Sequence, residues 1–267
     1  MLRKPQAKGQ FYPAQAAELR KQLEQLIDNN APKQAVLGMI LPHAGYIYSG
    51  GVAGSCFSRA NLTESVIILG PNHTGEGQAF SIFANGAWQT PIGNTEVDSG
   101  LAKDIIRKSA LLQEDYKAHA HEHSIEVQLP FLQYLLPSVK IVPIVIAPAD
   151  WQLYNEIGRA IAAALKQRAS GSLIIASSDF SHYLPQEKAS AQDKLAIEAI
   201  LRLDEKELLR RIEKFKISMC GYAPVACMLC ALKQLGAKKA KLLKYQTSGD
   251  VSGDYSSVVG YAAIIIS

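Results

Sequence analysis

The sequence predicts an α/β fold, a single layered domain over residues 1–267 with a largely parallel central sheet flanked by helices. Three observations predict it. Short apolar runs of strand character alternate with segments of helical spacing along the whole chain, which is the pattern of strand-helix-strand units. The runs over 36–41, 65–69 and 172–177 hold almost nothing but apolar and small residues, as strands covered on both faces do. A length of 267 residues, 48% of them hydrophobic, suffices for one large domain with a sizeable core.

Gly9-Gln10-Phe11-Tyr12-Pro13 reads as a turn, and a helix over 14–28 follows with Leu19, Leu23, Leu26 and Ile27 on one face. Asn29-Asn30-Ala31-Pro32 stops it. The first strand, 36–41, runs into a loop from Pro42 to Gly51, whose glycines permit unusual backbone shapes and close approach to a ligand. A short helix over 52–59 comes next. The second strand, 65–69, runs into a loop from Gly70 to Gly77. Residues 79–97 read as a strand or hairpin with a turn, and Asp98 caps a helix ending near Ser109. Ser124 is the expected cap of a helix carrying Leu129, Leu132, Leu135 and Leu136, with Pro130 at a kink or in its first turn. A strand over 140–147 leads to Pro148-Ala149-Asp150, a turn and cap for a helix over 151–167. After the strand over 172–177, helices cover 186–203 and 204–214, the second opened by Asp204 with Glu207 as a cap-like pair. Cys220 begins a helix through Gln234, and strands over 241–247 and 258–265 close the chain around a polar loop.

The net charge of +4 is mild, and the basic stretch of Lys238, Lys239, Lys241 and Lys244 reads as solvated surface. No nucleic-acid module accompanies it, so no nucleic-acid partner is expected. No uncharged apolar run is long enough to cross a bilayer, so no membrane association is expected. The first eight residues are charged without an apolar segment behind them, unlike a secretory leader. A cytoplasmic location is therefore expected, with Cys56, Cys220, Cys227 and Cys230 as reduced thiols. Cys227 and Cys230 stand among apolar residues of one helix and read as core. No Walker pattern, dinucleotide-binding glycine motif or Gly-x-Ser-x-Gly elbow is present, which disfavours nucleotide binding and serine hydrolysis.

The chemistry gathers at strand ends. The first strand delivers His43, the second delivers His73, and the strand over 172–177 delivers Asp179 and His182. Ligands of open α/β sheets collect outside the carboxyl ends of the strands, so one shared site is expected. His43 and His73 are separated by one strand-helix-strand unit, which would make their loops neighbours. Cys220 at a helix start is expected to be a thiol of lowered pKa, competent as a nucleophile or ligand. Two imidazoles and a thiolate suit a transition metal. Asp179 and His182 either bind the metal themselves or orient ligands and move protons. His123, in the run His119-Ala-His121-Glu122-His123-Ser124-Ile125-Glu126, is a further pocket candidate.

Leu-Pro-His43-Ala-Gly-Tyr-Ile-Tyr-Ser-Gly, Gly-Pro-Asn-His73, Glu122-His123-Ser124-Ile125-Glu126, Ser-Ser-Asp179-Phe-Ser-His182, Cys220-Gly and Val-Gly-Tyr-Ala-Ala resemble, in order and over nearly the whole chain, the Memo family. Its bacterial and archaeal members are also called AmmeMemoRadiSam system protein B. The resemblance implies a fold similar to class III extradiol dioxygenases, which are non-haem iron enzymes. It implies metal ligands at His43, His73 and Cys220, with Asp179 and His182 beside them in the pocket. The dioxygenases have a carboxylate where the Memo family has the cysteine. Eukaryotic members imply phosphotyrosine-peptide binding and redox signalling with copper or iron, and this chain has Phe11 where the family often has Trp.

Two functions follow as expectations. The first is a metal-binding protein with oxidoreductase activity, with iron as cofactor and copper or zinc as alternatives. Asp179, His182 and His123 would then orient a substrate or relay protons. The second is a binding module that captures a peptide or phosphorylated ligand in the same pocket without turnover. The family name adds a radical enzyme system as a partner.

Overall fold

The computed structural model describes residues 1–168 and 171–267. In chain order the first half comprises β1 (Leu2–Arg3), α1 (Ala16–Leu26), β2 (Gly38–Leu41), α2 (Tyr46–Phe57), β3 (Ser65–Pro71), β4 (Phe80–Ile82), β5 (Ala87–Thr90), β6 (Gly93–Glu96) and α3 (Ser99–Lys108). The middle comprises β7 (Gln113–Glu114), α4 (Lys117–Ala120), a 3-10 turn (Glu126–Gln128), α5 (Leu129–Leu135), β8 (Lys140–Ile146), α6 (Trp151–Leu165) and β9 (Leu173–Ser177). The remainder comprises β10 (His182–Leu184), α7 (Gln186–Leu201), α8 (Glu205–Phe215), α9 (Tyr222–Gln234), β11 (Ala240–Thr247), α10 (Gly249–Ser252) and β12 (Val258–Ile266).

The large sheet runs β10-β12-β2-β9-β3-β8-β4-β7, with β11 also paired to β12. Its centre, β2-β9-β3-β8, is parallel. The strands added at either side are antiparallel, β12 to β2 and β11, and β4 to β8. The sheet is therefore mixed, parallel where the site is built and mostly antiparallel around it, with the short β7 parallel to β4 at one edge. The connection between β11 and β12 is too short for the crossover that a parallel pair needs.

Alternate residues of the central strands enter two separate cores. Ile40, Ile67, Leu69, Ile174 and Ala176 face α3, α6 and α9. Met39, Leu41, Val66, Ile68 and Ile175 face α1, α2 and α5. A strand covered on both faces needs apolar side chains at every position, which explains the unbroken apolar runs.

Local differences from the sequence reading have physical causes. Helix α2 starts at Tyr46, so the glycine-rich stretch expected to be loop is helical. Its glycines serve packing: a Cβ on Gly54 would lie 2.1 Å from Leu26 O, and one on Gly50 2.8 Å from Leu26 Cδ1. Ser124 caps nothing, because a 3-10 turn precedes α5 and Pro130 stands in the first turn of that helix. Asp150 occupies the N-cap of α6 without a side-chain bond, whereas Asp98 and Asp204 each accept a hydrogen bond from a backbone N–H three residues on. Cys227 and Cys230 are buried and unpaired in α9, as core residues. Among the described residues no helix is long and apolar enough to cross a membrane.

Candidate metal centre

The loops after β2, β9 and β3 open at one edge of the sheet. Strand β9 stands between β2 and β3, so the loops of His43 and His73 are not the neighbours that their sequence separation suggested. The two rings nevertheless meet, with centroids 5.1 Å apart. The intervening strand brings Ser177 and Asp179 between them in the order of the sheet. The His43 backbone N–H donates to Asp179 Oδ1 at 2.8 Å, and His43 Nδ1 lies 3.0 Å from Ser177 Oγ.

His73 is held by one carboxylate at two points. Its backbone N–H donates to Glu122 Oε2 at 2.8 Å and its Nδ1 lies 2.9 Å from Glu122 Oε1. Glu122 is fully buried and also accepts the Ser124 N–H at 2.9 Å. A carboxylate only accepts, so His73 carries a proton on Nδ1, and in the neutral ring Nε2 is bare.

His123 follows Glu122 and stacks on His73, with centroids 5.0 Å apart and planes 13° apart. It also meets His43 edge-on at 5.5 Å and Phe11 at 4.7 Å. Each of His43, His73 and His123 offers a ring nitrogen within 4.8 Å of the other two.

Cys220 approaches this cluster at His43, its Sγ standing 3.2 Å from His43 Nε2. The Asp179 N–H donates to the same sulfur at 3.3 Å. Gly221 makes the docking possible, because a Cβ there would lie 2.4 Å from Ser177 O. Its N–H donates to Ser178 Oγ at 3.0 Å, fixing the start of α9 against the end of β9.

His182 lies at the margin. Its backbone N–H donates to Ser218 Oγ and its Nδ1 to Ser218 O, both at 2.8 Å. With its proton on Nδ1, the neutral ring leaves Nε2 bare. Of the neighbouring histidines, His121 is exposed, while His119 is buried between Phe83 and Trp88. Glu126 turns away from the site, pairing with Arg3 and accepting from Tyr12 Oη and the Ala7 N–H.

Burial, helped by the nearby His123 and His73 rings, pulls the basicity of His43 well below the ordinary imidazole range. Burial acts the same way on His73, but the Glu122 carboxylate outweighs it and raises His73. Burial pushes Glu122 upward, yet His73 and the backbone N–H groups bring it down to about 2. Burial lowers His123, with Glu122 opposing. Asp179 is pushed up to about 6 by burial despite the His43 N–H.

Cys220 departs from expectation. Burial and the Asp179 carboxylate push its thiol up, not down. The residue stands before the Gly221 N-cap, outside the helix proper, where enclosure outweighs the helix dipole. A cation among these donors would reverse the push, because the thiolate would gain its counter-charge.

His43, His73 and His123 form a group that could hold a metal ion, and Cys220 adds a sulfur beside His43. Bonds of roughly 2.0 Å to nitrogen and 2.3 Å to sulfur, arranged tetrahedrally, separate two donors by about 3.5 Å. The His43–Cys220 spacing of 3.2 Å is close to that. Soft sulfur beside neutral imidazole favours iron, copper or zinc over magnesium or calcium.

Glu122 and Ser177 stand inside motifs that carry the family resemblance, but nothing in those motifs marked their supporting roles. Glu122 stood in a polar run without any mark of burial, and Ser177 was one serine at the end of an apolar strand.

Comparison with known proteins agrees with the fold and motif pattern. The Memo-like protein family matches residues 3–265. The chain is 45% identical to a MEMO1 family protein of Methanopyrus kandleri over 279 aligned positions, covering 99% of each chain. It is 43% identical to a MEMO1 family protein of Methanocaldococcus jannaschii, again covering 99% of each. A MEMO1 family protein of Methanococcoides burtonii is also 43% identical, with 99% of this chain and 100% of that one covered. The fold is similar to the crystal structure of an uncharacterized protein from Escherichia coli K12, with a TM-score of 0.56 at 14% identity, covering 85% of this chain and 98% of that one.

Proposed function

The chain belongs to the Memo-like protein family, and on that premise we propose that it is a metal-dependent oxidoreductase whose ion is iron, with copper or zinc as the alternative. His43 and His73 would hold the ion through Nε2, and Cys220 through Sγ. Iron or copper with open positions would supply redox and Lewis-acid chemistry to a small substrate or O₂, and zinc Lewis-acid chemistry alone. The chain supplies the surroundings. Glu122 holds His73 by Nδ1 and by its backbone N–H. Asp179 holds the His43 backbone and stands beside the sulfur. His182, tied at Nδ1, offers Nε2 as a proton acceptor at the rim. His123 stacks within reach of both other rings and would contact whatever ligand enters.

The observation that supports this reading is that the His43 and His73 rings meet, with centroids 5.1 Å apart, and that Cys220 Sγ reaches the first of them, 3.2 Å from His43 Nε2. Elemental analysis after anaerobic purification tests it, comparing the wild type with Cys220→Ser. One equivalent of iron, copper or zinc, lost in the variant, supports the proposal. A metal-free wild type that still binds a peptide or phosphorylated ligand overturns it in favour of a binding module. A cytoplasmic location and a radical enzyme system as partner belong to the same proposal, and co-purification from the native source tests the latter.

A further inference from the structure

We infer that Ser177, fixed by Gln128 and the Ser124 carbonyl, is the positioning residue that compels His43 to carry its proton on Nδ1 and so to present Nε2 to the ion. The consequence for metal binding rests on the function proposed above; the tautomer itself does not.

Counting the available protons fixes the tautomer. The side-chain nitrogen of Gln128 lies 2.9 Å from Pro42 O and 3.0 Å from Ser177 Oγ. A carbonyl only accepts, so the amide NH₂ must face Pro42 O, and its second hydrogen goes to Ser177. Ser177 Oγ in turn lies 2.7 Å from Ser124 O, another acceptor without a proton to give. The one hydroxyl proton of Ser177 is thereby spent. His43 Nδ1, 3.0 Å from the same oxygen, can bond to it only by donating. A neutral imidazole with its proton on Nδ1 has a bare Nε2, which here faces the Cys220 sulfur. His43, Ser124, Gln128 and Ser177 are all at most 3% exposed, so bulk water does not compete for these bonds.

The two site histidines are thus oriented by different means. Glu122 fixes His73 directly, because a carboxylate has no proton to offer. A hydroxyl can give or take, and Ser177 becomes a pure acceptor toward His43 only because Ser124 O takes its proton. With the hydroxyl removed, the ring is free to place its proton on Nε2, where the Cys220 sulfur is a weak acceptor.

The test uses the full chain, metal-free, with ¹⁵N-labelled histidine, and reads the two ring nitrogens of His43 by NMR; Co²⁺ binding is measured on the same samples. The wild type is expected to show protonated Nδ1 and bare Nε2. Ser177→Ala is expected to shift the proton toward Nε2 and to weaken Co²⁺ binding by about 10–100-fold, and Ser177→Thr, which keeps the hydroxyl, to restore both. Wild-type protonation on Nε2 overturns the inference, as does a folded Ser177→Ala that retains both tautomer and Co²⁺ affinity. Should Ser177→Ala not fold, the wild-type spectrum still decides the tautomer. A wild type with bare Nε2 that binds no Co²⁺ upholds the role of Ser177 in the tautomer and defeats the metal reading alone.

Discussion

Cys220 Sγ and His43 Nε2 stand 3.2 Å apart although 177 positions separate them in the chain. His43 lies just beyond β2 and Cys220 just before α9, and the close fit of Gly221 against Ser177 O seats Cys220 at the end of β9, the strand paired with β2. If that sulfur is a ligand, Co²⁺ loaded into the protein will show thiolate-to-metal absorption in the near ultraviolet. Cys220→Ser is expected to abolish the band. Cys227→Ala and Cys230→Ala are expected to keep it, since both residues are buried within α9, Cys227 in the apolar core and Cys230 beside Glu205.

Glu122 is the buried anchor of His73. Replacing it with Gln leaves one acceptor oxygen where three N–H groups were served. Zn²⁺ affinity is expected to fall by about 10–100-fold, by analogy with other histidine-orienting carboxylates. Stability is expected to fall by about 1–3 kcal/mol, the cost of leaving a buried donor unpaired. Titration calorimetry and urea unfolding measure the two effects separately.

The glycines of α2 are not equivalent. Gly54→Ala would drive a methyl into Leu26 O, and a cost of about 1–3 kcal/mol or more is expected from overpacking. On Gly51 the nearest atom to an added Cβ is the flexible end of Lys244, at 3.5 Å. Gly51→Ala is therefore expected to stabilise by up to about 1 kcal/mol through helix propensity. Thermal unfolding of the two variants distinguishes packing from propensity.

His119 predicts a pH dependence outside the candidate metal centre. Its ring is fully buried, and burial together with the Arg3 charge lowers its pKa from 6.5 to about 3. Between those values the unfolded chain binds a proton that the folded chain refuses. Its contribution to stability is intact above pH 6.5 and is lost progressively as pH falls toward 3, with a slope of at most about 1.4 kcal/mol per pH unit. His119→Phe, set among Phe83 and Trp88, is expected to remove that part of the slope. The check is the wild-type-minus-variant difference in urea stability across this range, which cancels the other titrating groups.

The layered α/β architecture was legible because buried parallel strands impose continuous apolar runs, a local signal. Strand order was not, since nothing in the segments of β2 and β3 announces that β9 will pair between them. The sequence also marked His43, His73, His123, Asp179 and Cys220 for one neighbourhood, and the fold brings them to one edge, with His182 at the margin. The work of Glu122 and Ser177 was hidden because a buried acceptor is written with the same letter as an exposed one. The upward push on Cys220 was hidden for a related reason: enclosure by His43 and Asp179 is a property of the assembled site, while position ahead of a helix is a property of the sequence. The glycines of α2 misled for want of their partner, since a glycine that admits Leu26 is indistinguishable from one that loosens a loop.

The most direct test is an anomalous-difference map from crystals grown without oxygen, with data collected on both sides of the iron, copper and zinc absorption edges. A single peak within bonding distance of His43 Nε2, His73 Nε2 and Cys220 Sγ is the predicted result. A map with no peak there, or with an ion bound by His43, His73 and His123 while Cys220 turns away, would contradict it.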